Sequence, residues 1–411
     1  MNLLCSTSRM NKEREGRSSL KQRIGVIDAL RGFSLFGILL ANLLIFQYGI
    51  YGKDEWDFGT ADAVGHDILK VFVETSFMPI FAFLFGYGII LMYSSWKEKG
   101  FRVKRQFTRR FLALIVLGLL HGILLWEGDI LFAYGMMGFF LLLFVKRKPK
   151  TLLIWGVVVL ILTSSFSYGS GGVAMTAEEQ TRMDAYVEDT VDIYGSGTFV
   201  EIMTHRSQED PLMLGPGLMF LILALSPFLI LPMFLFGMYA AKRQLFSRVE
   251  ADIAVWKRGA LWLTLAGLGL KSMIVWMPDS SWSGVGYALG GPLLALGYIC
   301  LFTAAFHGRS SLFVRGMEAV GRLSLTNYLL QTVCCIFIFY GFGLGLFASL
   351  GIWAGIAIGV LVFSLQAALS LWYSRYFRQG PMEKIIRMFT YWSFKGKNKR
   401  PQPSTDLPKA Q

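Results

Sequence analysis

Charge is scarce in this chain. Of 411 residues, 16% are Asp, Glu, Lys or Arg, against 54% hydrophobic, and the mean hydropathy is +0.50. A soluble domain carries about 25% charged residues, so an ordinary water-soluble fold is excluded. Acidic residues are the scarcer sign, 27 against 40 basic, leaving a net charge of +13. Cysteine is nearly missing: Cys5 lies in a polar arm, Cys300 in an apolar stretch, and Cys334 and Cys335 stand side by side in another. That pattern matches neither a zinc site nor a disulfide framework. The first 22 residues lack the apolar core and cleavage site of a secretory signal, and no hydrophobic run precedes Cys5 as a lipoprotein signal requires. The first apolar stretch is therefore expected to remain in the mature protein.

What is present is length without charge. Ten stretches, at 27–46, 69–93, 111–126, 128–145, 151–168, 217–240, 259–277, 284–306, 323–342 and 350–373, approach the roughly 20 apolar residues that cross a bilayer. The third and fourth are parted only by Glu127-Gly128-Asp129 and are expected to form a helical hairpin. The basic excess does not point to nucleic acid, because it is segregated. Lys97 to Arg110, Lys146 to Lys150, Lys242 to Arg258 and Arg309 to Arg322 alternate with acidic or neutral connections, such as Asp54 to Asp67 around Lys53, Glu127 with Asp129, and Asp279. Basic connections stay in the cytoplasm. The expectation is an all-α, polytopic membrane bundle of about ten transmembrane helices, both termini cytoplasmic, in a plasma or inner membrane.

The chain then divides into a basic arm (1–22), spans one to five (23–168), an outer acidic cap (169–214), spans six to ten (215–373) and a basic tail (374–411). The cap holds nine acidic side chains against Arg182 and Arg206. Thr176-Ala-Glu-Glu179 has the form of a capping box opening a short helix. Gly169, Gly171 and Gly172 before it, and Pro211 and Pro216 after it, read as loop punctuation.

Polar groups inside apolar stretches mark function by default, since a charge at a helix centre costs roughly 2.5–3.5 kcal/mol. Asp28 and Arg31 open the first span at i and i+3. They read either as an ion pair that snorkels to water or as a site where an anionic cytosolic cofactor arrives at Arg31. Asn42 lies deeper, where it would bond a ligand carbonyl or a neighbouring helix. His121 sits about 15 Å beyond Phe111 along its helix. A buried histidine can exchange a proton at neutral pH, and Asp129, eight residues on, would orient it if the hairpin folds back. The plainer reading is a packing histidine between Gly118 and Gly122. In the ninth span Asn327 and Gln331 share a face beside Tyr328, a polar stripe running inward from Arg322 that suits a cavity or an interhelix bond. Lys271 is expected to snorkel, and Pro227 and Pro232 to break the sixth span. His66 and His205 face outward on this reading, and His307 inward.

Several of these pieces occur together in a known family. Asp28-Ala-Leu-Arg31-Gly-Phe with Asn42, Phe83-Leu-Phe-Gly86-Tyr-Gly88, and Gly118-Leu-Leu-His121-Gly followed by Gly128-Asp129-Ile-Leu and Tyr134 resemble the YeiB-type membrane proteins, whose function is unknown. So do Tyr194-Gly-Ser-Gly197-Thr-Phe-Val-Glu201 with Arg206, Gly321-Arg322 with Thr326-Asn327-Tyr328 and Gln331, Gly343-Leu-Gly345-Leu, and Gly380-Pro381-Met-Glu383 with Arg387 and Tyr391. The likeness covers about residues 23–393. More distantly, Asp28, Arg31 and Asn42 resemble the first catalytic helix of heparan-α-glucosaminide N-acetyltransferase-type enzymes, which take acetyl-CoA from the cytosol. That resemblance implies an acyl donor near Asn42 and a histidine base. In that group the histidine follows the first span closely, so either His121 or His66 takes the role here.

The expectation for function is an acyltransferase that accepts acyl-CoA, acetyl-CoA included, from the cytoplasm and acylates an outward-facing carbohydrate or envelope acceptor. His121 and Asp129 would act in catalysis. Arg31 and Arg322 would attract phosphates, with Asn42, Asn327 and Gln331 along the acyl path and Asp28 and Tyr328 in support. Membrane lipid is the expected partner, and a homo-oligomer is left open. The rival is a transporter using the same polar interior, and a non-catalytic membrane protein is the third reading.

Overall fold

The core of each expected span is helical. The computed structural model describes residues 2–55, 59–170 and 175–394, with side chains from Gly25 onward except at 55, 216, 220 and 223. Asp57, Gly171, Gly172 and the tail beyond 394 lie outside the described residues, as do the side chains of Cys5, of the basic arm and of Pro216. In order, the elements are α1 (Asn2–Tyr48), α2 (Gly52–Glu55), α3 (Thr60–Phe72), α4 (Phe77–Glu98), α5 (Val103–Leu124), α6 (Leu131–Leu141), α7 (Pro149–Ser165), α8 (Ala177–Ser196) and α9 (Phe199–Gln208). They continue with α10 (Gly215–Leu225), a 3₁₀ turn (Ser226–Ile230), α11 (Leu231–Lys242), a second 3₁₀ turn (Leu245–Ser247), α12 (Ile253–Trp276), α13 (Ser283–Phe306), α14 (Leu312–Arg322), α15 (Ser324–Phe339), α16 (Ile352–Tyr376) and α17 (Pro381–Tyr391). No strand occurs among the described residues.

Among the described residues, six helical stretches are long and apolar enough to cross a membrane: Gly25–Tyr48, Thr60–Glu98 taken across its break, α5, α12, α13 and α16. The other four expected spans are shorter or bent. They correspond to α6, α7, the Ser226–Lys242 segment and α15, which meets α14 at 91°. That bend is a correction. Arg322 ends α14, so the polar stripe on α15 does not continue from it along one helix. The span expected at 69–93 starts earlier and is broken at 73–76, where Thr75 takes a left-handed φ of 55°. The hairpin turn occupies 125–130 rather than three residues. The break near Pro227 and Pro232 appears as a 3₁₀ turn, because both rings remove a backbone donor.

Between helices in lipid there is little hydrophobic drive, so close packing and hydrogen bonds hold the bundle. Two crossings show how. Gly86 of α4 faces the Phe234 carbonyl, and Gly237 of α11 faces that of Phe83, so a β-carbon at either position would collide with backbone. Likewise Gly32 of α1 lies on Met317 and Gly321 of α14 on Asp28, again backbone to backbone. The motif glycines thus seat α1 against α14 and α4 against α11. Outside this core, α8 and α9 form the cap. Each starts with a capping box, Thr176 with Glu179 and Thr198 with Glu201. Arg206 ties the cap down by donating to the carbonyls of Ile123 and Leu125 at the end of α5 and to Glu127.

Candidate functional site

The hairpin of α5 and α6 brings His121 and Asp129 into contact. His121 Nδ1 lies 2.9 Å from Asp129 Oδ1, and Asp129 Oδ2 accepts the Phe132 N–H at 2.8 Å. The carboxylate therefore sits at the start of α6, where the helix dipole favours negative charge. With Asp129 ionised, Nδ1 carries the imidazole proton and Nε2 is left as an acceptor. Thr332 of α15 fills that position, its Oγ1 3.1 Å from Nε2. Carboxylate, imidazole and hydroxyl thus stand in the order used to activate a hydroxyl. The same bonds also pin the hairpin to α15. Both side chains are buried, His121 1% and Asp129 5% exposed, so the imidazole has no free nitrogen facing a cavity. Tyr328 covers it, ring centroids 5.4 Å apart, and the Tyr328 hydroxyl accepts the Ile130 N–H.

Two cavities approach this cluster. The inner one, about 290 Å³, lies at the end where the basic connections gather, and Arg110, Arg322, Arg387, Tyr134 and Tyr328 help to line it. None of the three guanidiniums forms a salt bridge with an acid among the described residues. The Nε atoms of Arg110 and Arg387 are buried without a partner. Glu383, in the same wall, is engaged elsewhere: it accepts the N–H groups of Leu325 and Thr326 at 2.7 and 3.1 Å, and the Thr326 hydroxyl at 2.6 Å, at the start of α15. Buried donors without acceptors are costly, and three arginines around one opening suit an anion with several oxygens.

The outer cavity, about 450 Å³, is bordered by Asn42, Lys53, Glu74, Ser164 and Tyr287. Glu74 lies 3.3 Å from Lys53 Nζ and accepts the Tyr287 hydroxyl at 2.8 Å. Lys53 also meets Asp54 at 2.6 Å, and Asp54 holds Lys70 at 3.1 Å and lies 3.6 Å from His66. Burial pushes the Asp54 carboxyl up, but His66, Lys53 and Lys70 outweigh it and hold it well below the usual carboxylate range. Burial likewise pushes Lys53 down, while Glu74 and Asp54 keep it above its ordinary value. Lys271 does not snorkel. It is fully buried, donating to the Glu74 carbonyl and to Ser76 Oγ, and lies 5.2 Å from the Tyr287 ring, so it staples the break between α3 and α4.

Ile130 lines both cavities. Beside it the Tyr134 hydroxyl, from the inner wall, donates to the Met78 carbonyl, in the outer wall. Asn42 borders the outer cavity and Arg322 and Tyr328 the inner one. Arg31 pairs with Asp28 at 3.0 Å and its charge, with that of Arg387, acts on Arg110. Asn327 and Gln331 border neither cavity. Asn327 donates to the Val320 carbonyl and to Ser370, and Gln331 to Gln366, so both tie α15 to its neighbours. Among the outer histidines, His66 meets Asp54, and His205 lies in the cap stacked on Tyr186 and 2.8 Å from Thr190 Oγ1.

Arg110, Arg387, Glu383, Glu74, Tyr287 and Thr332 escaped sequence reasoning. Arg110 reads there as one more topogenic charge. Glu383 and Arg387 stand in a motif that names no role. Thr332 follows Tyr328 by one helical turn, and that spacing was the available signal.

Comparison with known proteins agrees along nearly the whole chain. Residues 240–393 match a family described as "Protein of unknown function (DUF418)". The chain is similar to the uncharacterized protein YxaH of Bacillus subtilis (strain 168), 34% identical over 394 residues, covering 91% of this chain and 95% of that one. It is also similar to the uncharacterized protein YeiB of Escherichia coli (strain K12), 28% identical over 90% of this chain and 96% of that one. A third relative, an uncharacterized 39.9 kDa protein from the amylase 3′ region of Bacillus acidopullulyticus, is 26% identical over 91% and 95%.

Proposed function

This chain belongs to the DUF418 family that includes YeiB, and from that premise we propose that it is an integral-membrane acyltransferase. On this reading it takes acyl-CoA from the cytoplasm and passes the acyl group to an extracytoplasmic carbohydrate or envelope acceptor. It sits in the plasma or inner membrane with both termini inside. The observation that carries the reading is the pair of cavities meeting at Ile130, the inner one ringed by three guanidiniums of which Arg110 and Arg387 keep a buried Nε without a partner.

The orphaned Nε atoms of Arg110 and Arg387 fit an anionic group, and with Arg322 they would hold the phosphates of acyl-CoA, which supplies an activated thioester carbonyl. Asn42 would orient the acceptor from the outer side. His121 would take the acceptor's proton at Nε2 while Asp129 keeps the proton on Nδ1. For this Thr332 must give up its place on Nε2 and Ile130 must swing aside, because the imidazole is sealed at rest. The test is transfer of a labelled acyl group by the full-length protein in nanodiscs. Transfer by wild type and none by a correctly inserted His121→Ala protein is expected. Undiminished transfer by that variant removes His121 from the reaction, and absence of saturable acyl-CoA binding overturns the enzyme.

A second reading, transport of a small metabolite or a lipid-linked group, is favoured by helix breaks at 73–76, 125–130 and 226–230, all close to the outer cavity. Uptake into proteoliposomes lacking CoA would select it.

A further inference from the structure

We propose that the outer cavity binds an amphiphile dissolved in the membrane, one with an uncharged, hydroxyl-bearing head, and that this ligand arrives sideways from the lipid. The inference rests on the acyl-transfer reading only in so far as this ligand would then be the acceptor. The binding itself stands on the cavity.

Two polar groups are unspent there. The Ser164 hydroxyl is buried without a partner, and the Asn42 amide makes no hydrogen bond to any described residue. Together they offer donors and acceptors, as a ligand with several hydroxyls requires. The charged groups are already matched. Glu74 is held by Lys53 on one oxygen and by Tyr287 on the other, and the Lys271 ammonium behind them is spent on the Glu74 carbonyl and Ser76 Oγ, so no charge on this wall is left open to an ionic head. Its size lies within the roughly 300–1,000 Å³ typical of small-ligand sites. Apart from Thr75, Thr163 and Ser167, the rest of the lining, including Ile38, Met78 and Ile230, is apolar and suits a hydrocarbon arm.

The direction of access follows from exposure. Toward the acidic loops the cavity is roofed by Lys53 and Glu74, whose side chains are only 17% and 14% exposed. On the flank, Leu229 of the 3₁₀ turn lines the cavity and is itself 56% exposed. Leu225, one turn before it, and Leu162 and Phe166, on α7 and at its end to either side of Ser164, are exposed as well. The opening therefore gives onto hydrocarbon, and a water-soluble sugar would have no direct route.

The experiment uses the full-length protein in phosphatidylcholine nanodiscs doped with equal amounts of monoglucosyldiacylglycerol and phosphatidic acid, with no CoA present. Lipid retained per chain is read by native mass spectrometry. The expected result is glucolipid retention lost in Ser164→Leu and reduced in Leu229→Trp, and, in the fraction that Leu229→Trp removes, exceeding phosphatidic acid by about tenfold. Leu229 faces lipid, so the second variant folds even if the first does not. Methyl glucoside added in water should fail to displace the lipid. Phosphatidic acid retention that falls in Leu229→Trp as the glucolipid's does, displacement by methyl glucoside, or unchanged glucolipid retention in Leu229→Trp would overturn the proposal. Because no acyl donor is present, any of these outcomes leaves the acyl-CoA measurement to be judged separately.

Discussion

Arg387→Ala separates binding from stability at one residue. Its guanidinium lines the inner cavity with a buried, unpartnered Nε and lies 5.7 Å from the Tyr391 ring. A hydrogen bond to a charged group is worth about 1.5–3 kcal/mol, so losing one bond to a phosphate weakens acetyl-CoA binding about 10- to 150-fold. Folding should respond differently. The substitution forfeits a ring contact of about 0.5–1 kcal/mol, yet it relieves repulsion from Arg110 across the cavity. The melting temperature without ligand is therefore expected to stay level or rise. Calorimetric titration with acetyl-CoA and a thermal melt, both in nanodiscs, read the two effects. Arg387→Lys should recover only part of the affinity, since it keeps the charge and loses the fork. An unchanged Kd, or a Kd that worsens only in step with a falling melting temperature, would refute the reasoning.

Other outcomes follow from the packing and the charges. Gly237→Leu should drive a side chain into the Phe83 carbonyl and destabilise the α4–α11 crossing by at least about 1–3 kcal/mol, measured as a lowered melting temperature. Asp54 has a folded pKa below its unfolded value of about 3.9, so its contribution is present above that value and lost as pH falls through the folded one. An acid unfolding curve should accordingly be shallower in Asp54→Asn, and identical curves would contradict the ion cluster. Arg206→Ala should free the cap from the end of α5, seen as faster proteolysis between residues 197 and 214 in an otherwise intact bundle.

The helices were legible because apolar length alone demands a span, and the Thr176 cap because two residues, Thr176 and Glu179, carry its whole mechanism. The break at 73–76 was not, since Val73-Glu74-Thr75-Ser76 contains neither glycine nor proline. Two things hold the helix broken there: Pro79 has no N–H for the Thr75 carbonyl, and Lys271, nearly two hundred residues away, donates to the Glu74 carbonyl. The site divides in the same way. His121 and Asp129 lie eight residues apart across one turn, and that proximity could be read. Thr332, 211 residues from His121, could not. Arg110 and Arg322 serve the topology rule and the cavity with the same charge, so their second use is hidden by the first. Asn327 and Gln331 show the converse: amides on one helix face signal a partner, and here the partners are other helices.

The broken stretch from Thr60 to Glu98 has a mechanical consequence. As one rod its 39 residues would measure about 58 Å, nearly twice the hydrocarbon depth of about 30 Å. With the helix interrupted at Thr75, the 22 residues of α4 suffice to match the bilayer, while α3 carries the stretch beyond it, tied to the start of α16 where Asp62 accepts the Ile352 N–H. The ammonium of Lys271 is the rivet of that joint, fastening the interrupted backbone to α12.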